Sequence, residues 1–535
     1  VNEEATLFRD DAGVLLHPSS LPTDYGIGDF GPAAMEWLER LAEAGQSLWQ
    51  VLPLGPTGYA DSPYQALSAF AANPLFLSPD RLVEDGLLRR SDAEEARLPR
   101  GDRVPYAEAA DNKARLARRA LENFRELPGD VPMARAYARF RERESRWLEP
   151  FALYYALKTR FGGRAWAAWP AEFRDRHPEA LERAREELAE SVDEARVTQF
   201  LLDWQWQAVR DRATELGVRI VGDLPIFVAH DSADVWADRR LFRLREDGAP
   251  EVVAGVPPDY FSESGQLWGN PLYAWPEHER DRFIWWRRRM DRALGWMDVV
   301  RIDHFRGFVA CWEVPGDAAT AIDGRWVDSP GDALLRELSQ DLGHPLPIIA
   351  EDLGKITEDV IALRDRFGLP GLRILQFAFG DDPMASTFAP PGYCRNCVAY
   401  SGTHDNDTVQ GWFNAAPGTD DTRGPAAIAR ERAAAMEYFG TGGENIHWDF
   451  ARVLYGSSAG AVLLPLQDVL GLGSESRMNV PGRPSGSWQW RLPSFDRLDG
   501  PWQALGALAR ETARGRARRG GADDIPAAGA QGERA

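Results

Sequence analysis

The sequence predicts an α/β protein built as a (β/α)8 TIM barrel, with a helical insertion between strands 2 and 3 and an aromatic-rich loop insertion before strand 4. Three observations carry that expectation. Short apolar runs alternate with helical stretches about eight times, the number such a barrel requires. Three of those runs, Val299 to Asp303, Pro347 to Glu351 and Val398 to Asp405, lead into a carboxylate. Acids on the carboxyl ends of parallel strands sit on the rim where barrel active sites form. Finally, 535 residues suit a barrel that carries insertions. Alternation alone leaves a doubly wound open sheet as the competing architecture.

The elements follow in order. Val14-Leu15-Leu16-His17 reads as the first strand, and Trp37, Leu38 and Leu41 share one face of the helix after it. Leu48 to Leu52 is the second strand and Val218 to Asp223 the third. The runs ending at Asp303 and Glu351 come next, then Leu372 to Phe377, the run before Asp405, and Ala461 to Leu466. This divides the chain into a first barrel part (1–78), a helical insertion (79–198) rich in Arg, Glu and Ala, and the rest of the barrel (199–513). Residues 249–275, dense in Pro, Gly and aromatics, read as an irregular substrate loop. From Arg514 onward, Gly, Ala and charge dominate, and a disordered tail is expected at 514–535.

Composition narrows the function. A net charge of −20 disfavours nucleic acid and anionic membranes as partners, and suits a neutral substrate. No apolar run approaches the roughly 20 residues of a membrane span. The acidic start lacks the features of a signal peptide, and three cysteines cannot build a disulfide framework, so a cytoplasmic location is expected. Cys394 and Cys397 have C-x-x-C spacing; two inert thiols entering a strand are the favoured reading, a redox or stabilising disulfide the lesser one. Phosphate-binding glycine motifs are absent, and neither a cofactor nor a metal is expected.

The acids differ in their surroundings. Arg301 precedes Asp303 by two, so on a strand both point the same way, and the guanidinium is expected to hold Asp303 ionised. Glu351 ends the most apolar of the three runs, where burial would raise its pKa as a general acid requires. Asp352 reads as the cap of the following helix. His404 and Asp405 follow Gly402-Thr403, and capping accounts for Asp407 better than for His404. Paired carboxylates flanking a bond are the equipment of glycoside chemistry.

At this point the chain resembles the 4-α-glucanotransferases known as amylomaltases or disproportionating enzymes, within the α-amylase clan. The text that carries the resemblance includes His17-Pro18-Ser19-Ser20-Leu21-Pro22, Asp61-Ser62-Pro63-Tyr64-Gln65, Gly222-Asp223-Leu224-Pro225, Trp268-Gly269-Asn270-Pro271, Met478-Asn479-Val480-Pro481-Gly482 and the acid runs themselves. It implies that Asp303 is the nucleophile, Glu351 the acid/base and Asp405 the transition-state stabiliser. It also implies sugar contacts from Tyr59, Asp223, Gln266, Trp268, Asn270, Arg301, His304, His404 and Asn479, with Phe261 beside Tyr260 on a candidate lid. Substrates would be maltooligosaccharides and α-1,4-glucans, as donor and acceptor. Retaining chemistry would place the Asp303 and Glu351 carboxyls about 5–5.5 Å apart. The residues alone leave open a hydrolase of the same clan or a non-catalytic glucan-binding protein.

Overall fold

A computed structural model describes residues 6–258, 264–416, 423–483 and 485–515. Twelve strands are present in it: β1 (Asp11–Leu15), β2 (Leu48–Gln50), β3 (Arg219–Pro225), β4 (Val252–Val256), β5 (Gln266–Pro271), β6 (Val299–Asp303), β7 (Ala310–Pro315), β8 (Arg325–Asp328), β9 (Ile348–Ala350), β10 (Gly371–Ile374), β11 (Cys397–Tyr400) and β12 (Ala461–Pro465). Eight of them form one parallel sheet in the order β10-β11-β12-β1-β2-β3-β6-β9. Its two edges meet. The Ala350 amide donates to Pro370 O at 2.9 Å, and the Leu372 amide to Asp352 Oδ1 at 2.7 Å. Asp352 therefore does not cap the following helix as expected. It bridges β9 to β10 and pairs with Arg364 at 2.5 Å, because burial makes a shared carboxylate the means of satisfying both groups.

These eight strands are the eight apolar runs, with shifted ends. The sixth run stops being extended at Ile374, and Leu375–Phe379 turns into a 3-10 helix. The barrel interior is filled by Leu48, Val221, Val299, Ile349, Leu372, Val398 and Leu463. Their neighbours Trp49, Ile220, Val300, Ile348, Ala399 and Val462 face outward onto the helices. That alternation puts Arg301 and Asp303 on the inward side with Val299, as strand geometry requires.

The segment between β2 and β3 is helical, led by Tyr106–Arg125, Pro132–Arg160 and Ala189–Glu215. The last of these runs unbroken through position 199, so insertion and barrel share one helix rather than meeting at a linker. Two glutamines on that helix fasten the extended chain beneath it. Gln199 accepts from the Ala72 amide (2.7 Å) and donates to its carbonyl (2.9 Å), and Gln205 does the same for Ser78 (2.7 and 3.1 Å).

Two further expectations fail. The described part of residues 249–275 is not an irregular loop: β4 and β5 lie there, in an antiparallel sheet of order β5-β4-β7-β8. Glycines, prolines and a register shift between Val253 and Gly255 hide the alternation that marks such strands. Arg514 is not the start of a loose tail either. It is 2% exposed, and its guanidinium donates to the carbonyls of Tyr455, Ser457 and Ala459. The remainder of the expected tail, from 516, lies outside the described residues. Among the described residues no helix is long and apolar enough to cross a membrane.

Candidate active site

The carboxyl ends of β3, β6, β9 and β11 bring Asp223, Asp303, Glu351 and Asp405 to one rim, with Arg301 between them. Arg301 is buried. Its Nη1 lies 2.8 and 2.7 Å from the two oxygens of Asp223, and 3.0 Å from Asp303 Oδ1. One guanidinium nitrogen thus serves two carboxylates, which hold it charged. Asp303 keeps 29% of its side chain open to the cleft.

Glu351 is fixed by two amide donors. Its Oε2 accepts from the His304 N–H at 2.7 Å and its Oε1 from the Leu353 N–H at 2.9 Å. His304 reaches that position with φ +52°, a left-handed conformation that a non-glycine residue adopts at a cost. The strained residue next to Asp303 therefore aims its amide at Glu351, coupling the positions of the two acids. Asp405 Oδ1 accepts from Asn479 Nδ2 at 2.6 Å, and its Oδ2 lies 3.4 Å from His404 Nε2.

Burial is the dominant influence on both central acids. It raises the Glu351 pKa, against Arg301 and the two amides, as the sequence predicts. It also pushes Asp303 up to about 8; Arg301 opposes this, while Asp223, Glu351 and Asp405 add to it. The expectation that Arg301 holds Asp303 down is corrected here, because that cation is divided between two carboxylates and three other acids face it. Asp303 and Glu351 titrate together rather than as separate groups. His304 is pushed down to about 4 and His404 is also lowered, both chiefly by burial, so the imidazoles are neutral at neutral pH.

One residue at the centre of the site is absent from the expected set. Tyr64 donates its hydroxyl proton to Asp223 Oδ2 at 2.8 Å. The same oxygen is 2.8 Å from His404 Nε2, so it accepts there, which fixes the proton of the neutral ring on Nε2. The string Asp61-Ser62-Pro63-Tyr64-Gln65 carried the signal, but nothing in its spacing shows that the phenol turns inward between β3 and β11. Trp488, at φ +66°, packs against both Tyr64 and His404 with centroids 5.7 and 5.9 Å away.

The remaining candidates divide. Trp268 meets His304 edge-on at 4.8 Å, and its indole N–H donates to Gln266 Oε1 at 3.1 Å, so β5 lays an aromatic wall along the cleft. Tyr59 stands 71% exposed on a turn where Ala60 and Asp61 both have positive φ. Asn270, expected to touch sugar, is buried like Asp223 and His404 and donates to Val228 O at 2.9 Å. Its amide ties β5 to the segment after β3, because a buried amide must find such a partner. Phe261 and Tyr260 lie outside the described residues.

Acids at four strand ends around a buried arginine, with neutral imidazoles and an aromatic wall, define a carbohydrate-active barrel enzyme. The comparisons give the family. The profile of a family described as 4-alpha-glucanotransferase, glycoside hydrolase family 77, matches residues 16–497. The 4-alpha-glucanotransferase of Thermus thermophilus is 48% identical over 94% of this chain and 98% of its own length. That of Synechocystis sp. is 44% identical over 90% and 93%. A solved amylomaltase from Streptococcus agalactiae, in complex with acarbose, superposes with a TM-score of 0.88 at 36% identity, covering 95% of this chain and all of that one. The chain belongs to the 4-α-glucanotransferase family, and its activity is the transfer of α-1,4-glucan segments by retaining glycosidase-type chemistry.

Proposed function

We propose that Asp303 is the nucleophile, Glu351 the acid/base and Asp405 the stabiliser of the distorted sugar, acting on maltooligosaccharides and longer α-1,4-glucans as donor and acceptor. In the first step Glu351 gives its proton to the glycosidic oxygen while Asp303 attacks the anomeric carbon. The reducing-end fragment leaves and a glycosyl ester remains on Asp303. In the second step the acceptor's 4-hydroxyl attacks that carbon, Glu351 takes its proton, and Asp303 is released.

The observation that carries this assignment is the division of contacts between the two acids. Burial prevents both from ionising together, so at working pH the pair holds one proton. Burial raises both carboxyls and Arg301 opposes that rise on both, so the proton belongs to the pair. Arg301, in contact with Asp303 at 3.0 Å, stabilises that carboxylate as it attacks and leaves the proton to Glu351. Asp405 then faces the ring hydroxyls as acceptor, beside His404, whose Nε2 proton is held by Tyr64. Interactions that tighten as the ring flattens lower the barrier, whereas equal grip on both states would not.

Transfer over hydrolysis requires that an acceptor be held and water excluded at the ester. Trp268, Gln266 and Tyr59 line that side. The assignment carries a distance with it, about 5–5.5 Å between the Asp303 and Glu351 carboxyls, as retention requires. Three free thiols accord with a cytoplasmic location. Incubation with maltotriose tests the proposal: glucose and longer maltooligosaccharides should accumulate at constant reducing-end count. A steady rise in reducing ends would make the enzyme a hydrolase.

A further inference from the structure

Away from the rim, Cys394-Arg395-Asn396-Cys397 forms the entry to β11. The two thiols differ in everything that governs reactivity. Cys394 is exposed, whereas Cys397 is buried and begins the strand. The two side chains are close enough to influence each other's charge; Cys397 Sγ lies 3.0 Å from Cys394 O and Cys394 Sγ 3.6 Å from Asn396 O. The residues between them are pinned on both sides, which holds the sulfurs in register. Arg395 pairs with Asp10 at 2.8 Å, and Asn396 donates to Gly368 O at 2.9 Å.

A cation stands behind the pair. Arg373 on β10 spends Nη1 on Leu372 O at 2.6 Å and reaches Asp352 at 3.8 Å, while its buried Nε has no hydrogen-bond partner. Together with Arg364 it favours negative charge on Cys394, whose pKa is lowered to about 6, chiefly by the contact with Cys397. The Cys397 thiol is pushed the other way, by Cys394 first and burial second, with Asp352 adding to the rise and Arg373 opposing it. An exposed thiolate beside a buried thiol is the arrangement of a dithiol exchange site.

We infer that Cys394 and Cys397 form a reversible dithiol–disulfide site that exchanges with small-molecule disulfides, Cys394 attacking and Cys397 resolving. The Cys394 thiolate attacks one sulfur of the small disulfide, forms a mixed disulfide and expels one thiolate. Capping removes the negative charge that held the Cys397 proton. Cys397 then loses that proton and attacks the Cys394 sulfur; the protein disulfide forms, and the second small thiol departs carrying the proton. Two protein thiols are oxidised and one small disulfide is reduced to two thiols.

Reduced full-length protein, incubated with oxidised glutathione, quenched in acid and blocked with N-ethylmaleimide, tests this by peptide mass spectrometry. The expected product is a Cys394–Cys397 disulfide, reversed by dithiothreitol, with Cys311 still a thiol. Cys397→Ser should stop at a glutathione adduct on Cys394. Cys394→Ser should lower native-state alkylation by iodoacetamide at pH 7 at least tenfold, and Arg373→Gln should slow it several-fold. Wild-type protein that stops at the mixed disulfide, or that stays fully alkylatable after glutathione treatment, overturns the inference. Fold retention in the variants is read from turnover of maltotriose.

Discussion

The helical insertion and the catalytic rim use the same charged residues to opposite ends. On the insertion, Arg119–Glu122 and Arg185–Glu182 pair one helical turn apart at 3.4 and 2.9 Å, each side chain close to half exposed or more. Water screens such pairs, and they are worth about 0–1 kcal/mol. At the rim, Arg301 faces Asp223 and Asp303 with 4% of its side chain exposed. There, removal from water turns the same attraction into a device for placing charge. Between these extremes lies Lys113, one of only three lysines in the sequence. It is buried with Asp29 at 2.7 Å and also donates to Leu77 O at 2.7 Å, fastening the insertion to the barrel. Burial, not residue type, decides whether an ion pair solvates a surface, locks two regions together or equips a reaction.

Substitutions can break that ordering. Asp303→Asn should have the largest effect, a loss on the order of 10⁴-fold or more in kcat with maltotriose, glucan binding being retained. If turnover survives, the proposed nucleophile is wrong. Lys113→Ala should come next, because it strands the Asp29 carboxylate in the interior. Its cost should be about 3–5 kcal/mol in urea unfolding, with little change in KM for the folded fraction. A cost under about 1 kcal/mol would place the pair with the surface ones. Tyr64→Phe removes the link between Asp223 and His404 and should lower kcat roughly 10–100-fold, as loss of a charged hydrogen bond of about 1.5–3 kcal/mol implies.

The rim should also reveal itself in pH dependence of stability. Asp303 sits near 8 in the folded protein, above the ~3.9 of an unfolded chain. Between those values the folded state binds more protons than the unfolded one, so stability falls as pH rises through that window. Asp303→Asn removes this penalty. Calorimetry should show the variant melting about 2 °C or more above wild type at pH 8, and level with it at pH 4. A constant offset at both values would mean that titration of Asp303 is not the cause. Smallest of all, Arg119→Ala on the insertion should change stability by under about 0.5 kcal/mol.

How much was legible depends on how local the signal was. All eight barrel strands could be read, since each is a short apolar run whose burial on both faces needs no partner to be recognised. The second sheet could not: β4 contains Gly255 and β5 Gly269, and β8 is largely exposed. Asp303, Glu351 and Asp405 stood out because each ends or follows an apolar run. Tyr64 did not, because its role exists only when the loop after β2 folds over the ends of β3 and β11. Asn270 shows the same dependence on the fold. It sits in a motif beside Trp268, yet its amide turns inward to Val228.

The sequence by itself determined the barrel, the place of the helical insertion and the three acids on the rim, because these depend on alternation and strand ends. Only the tertiary structure decided how charge is shared among them. The sequence pairs Arg301 with Asp303, two residues apart. The fold divides that one guanidinium between Asp303 and Asp223, which arrive from different strands, and surrounds it with Glu351 and Asp405. A pKa is set by everything within a few ångströms, and most of what surrounds Asp303 is distant in the chain.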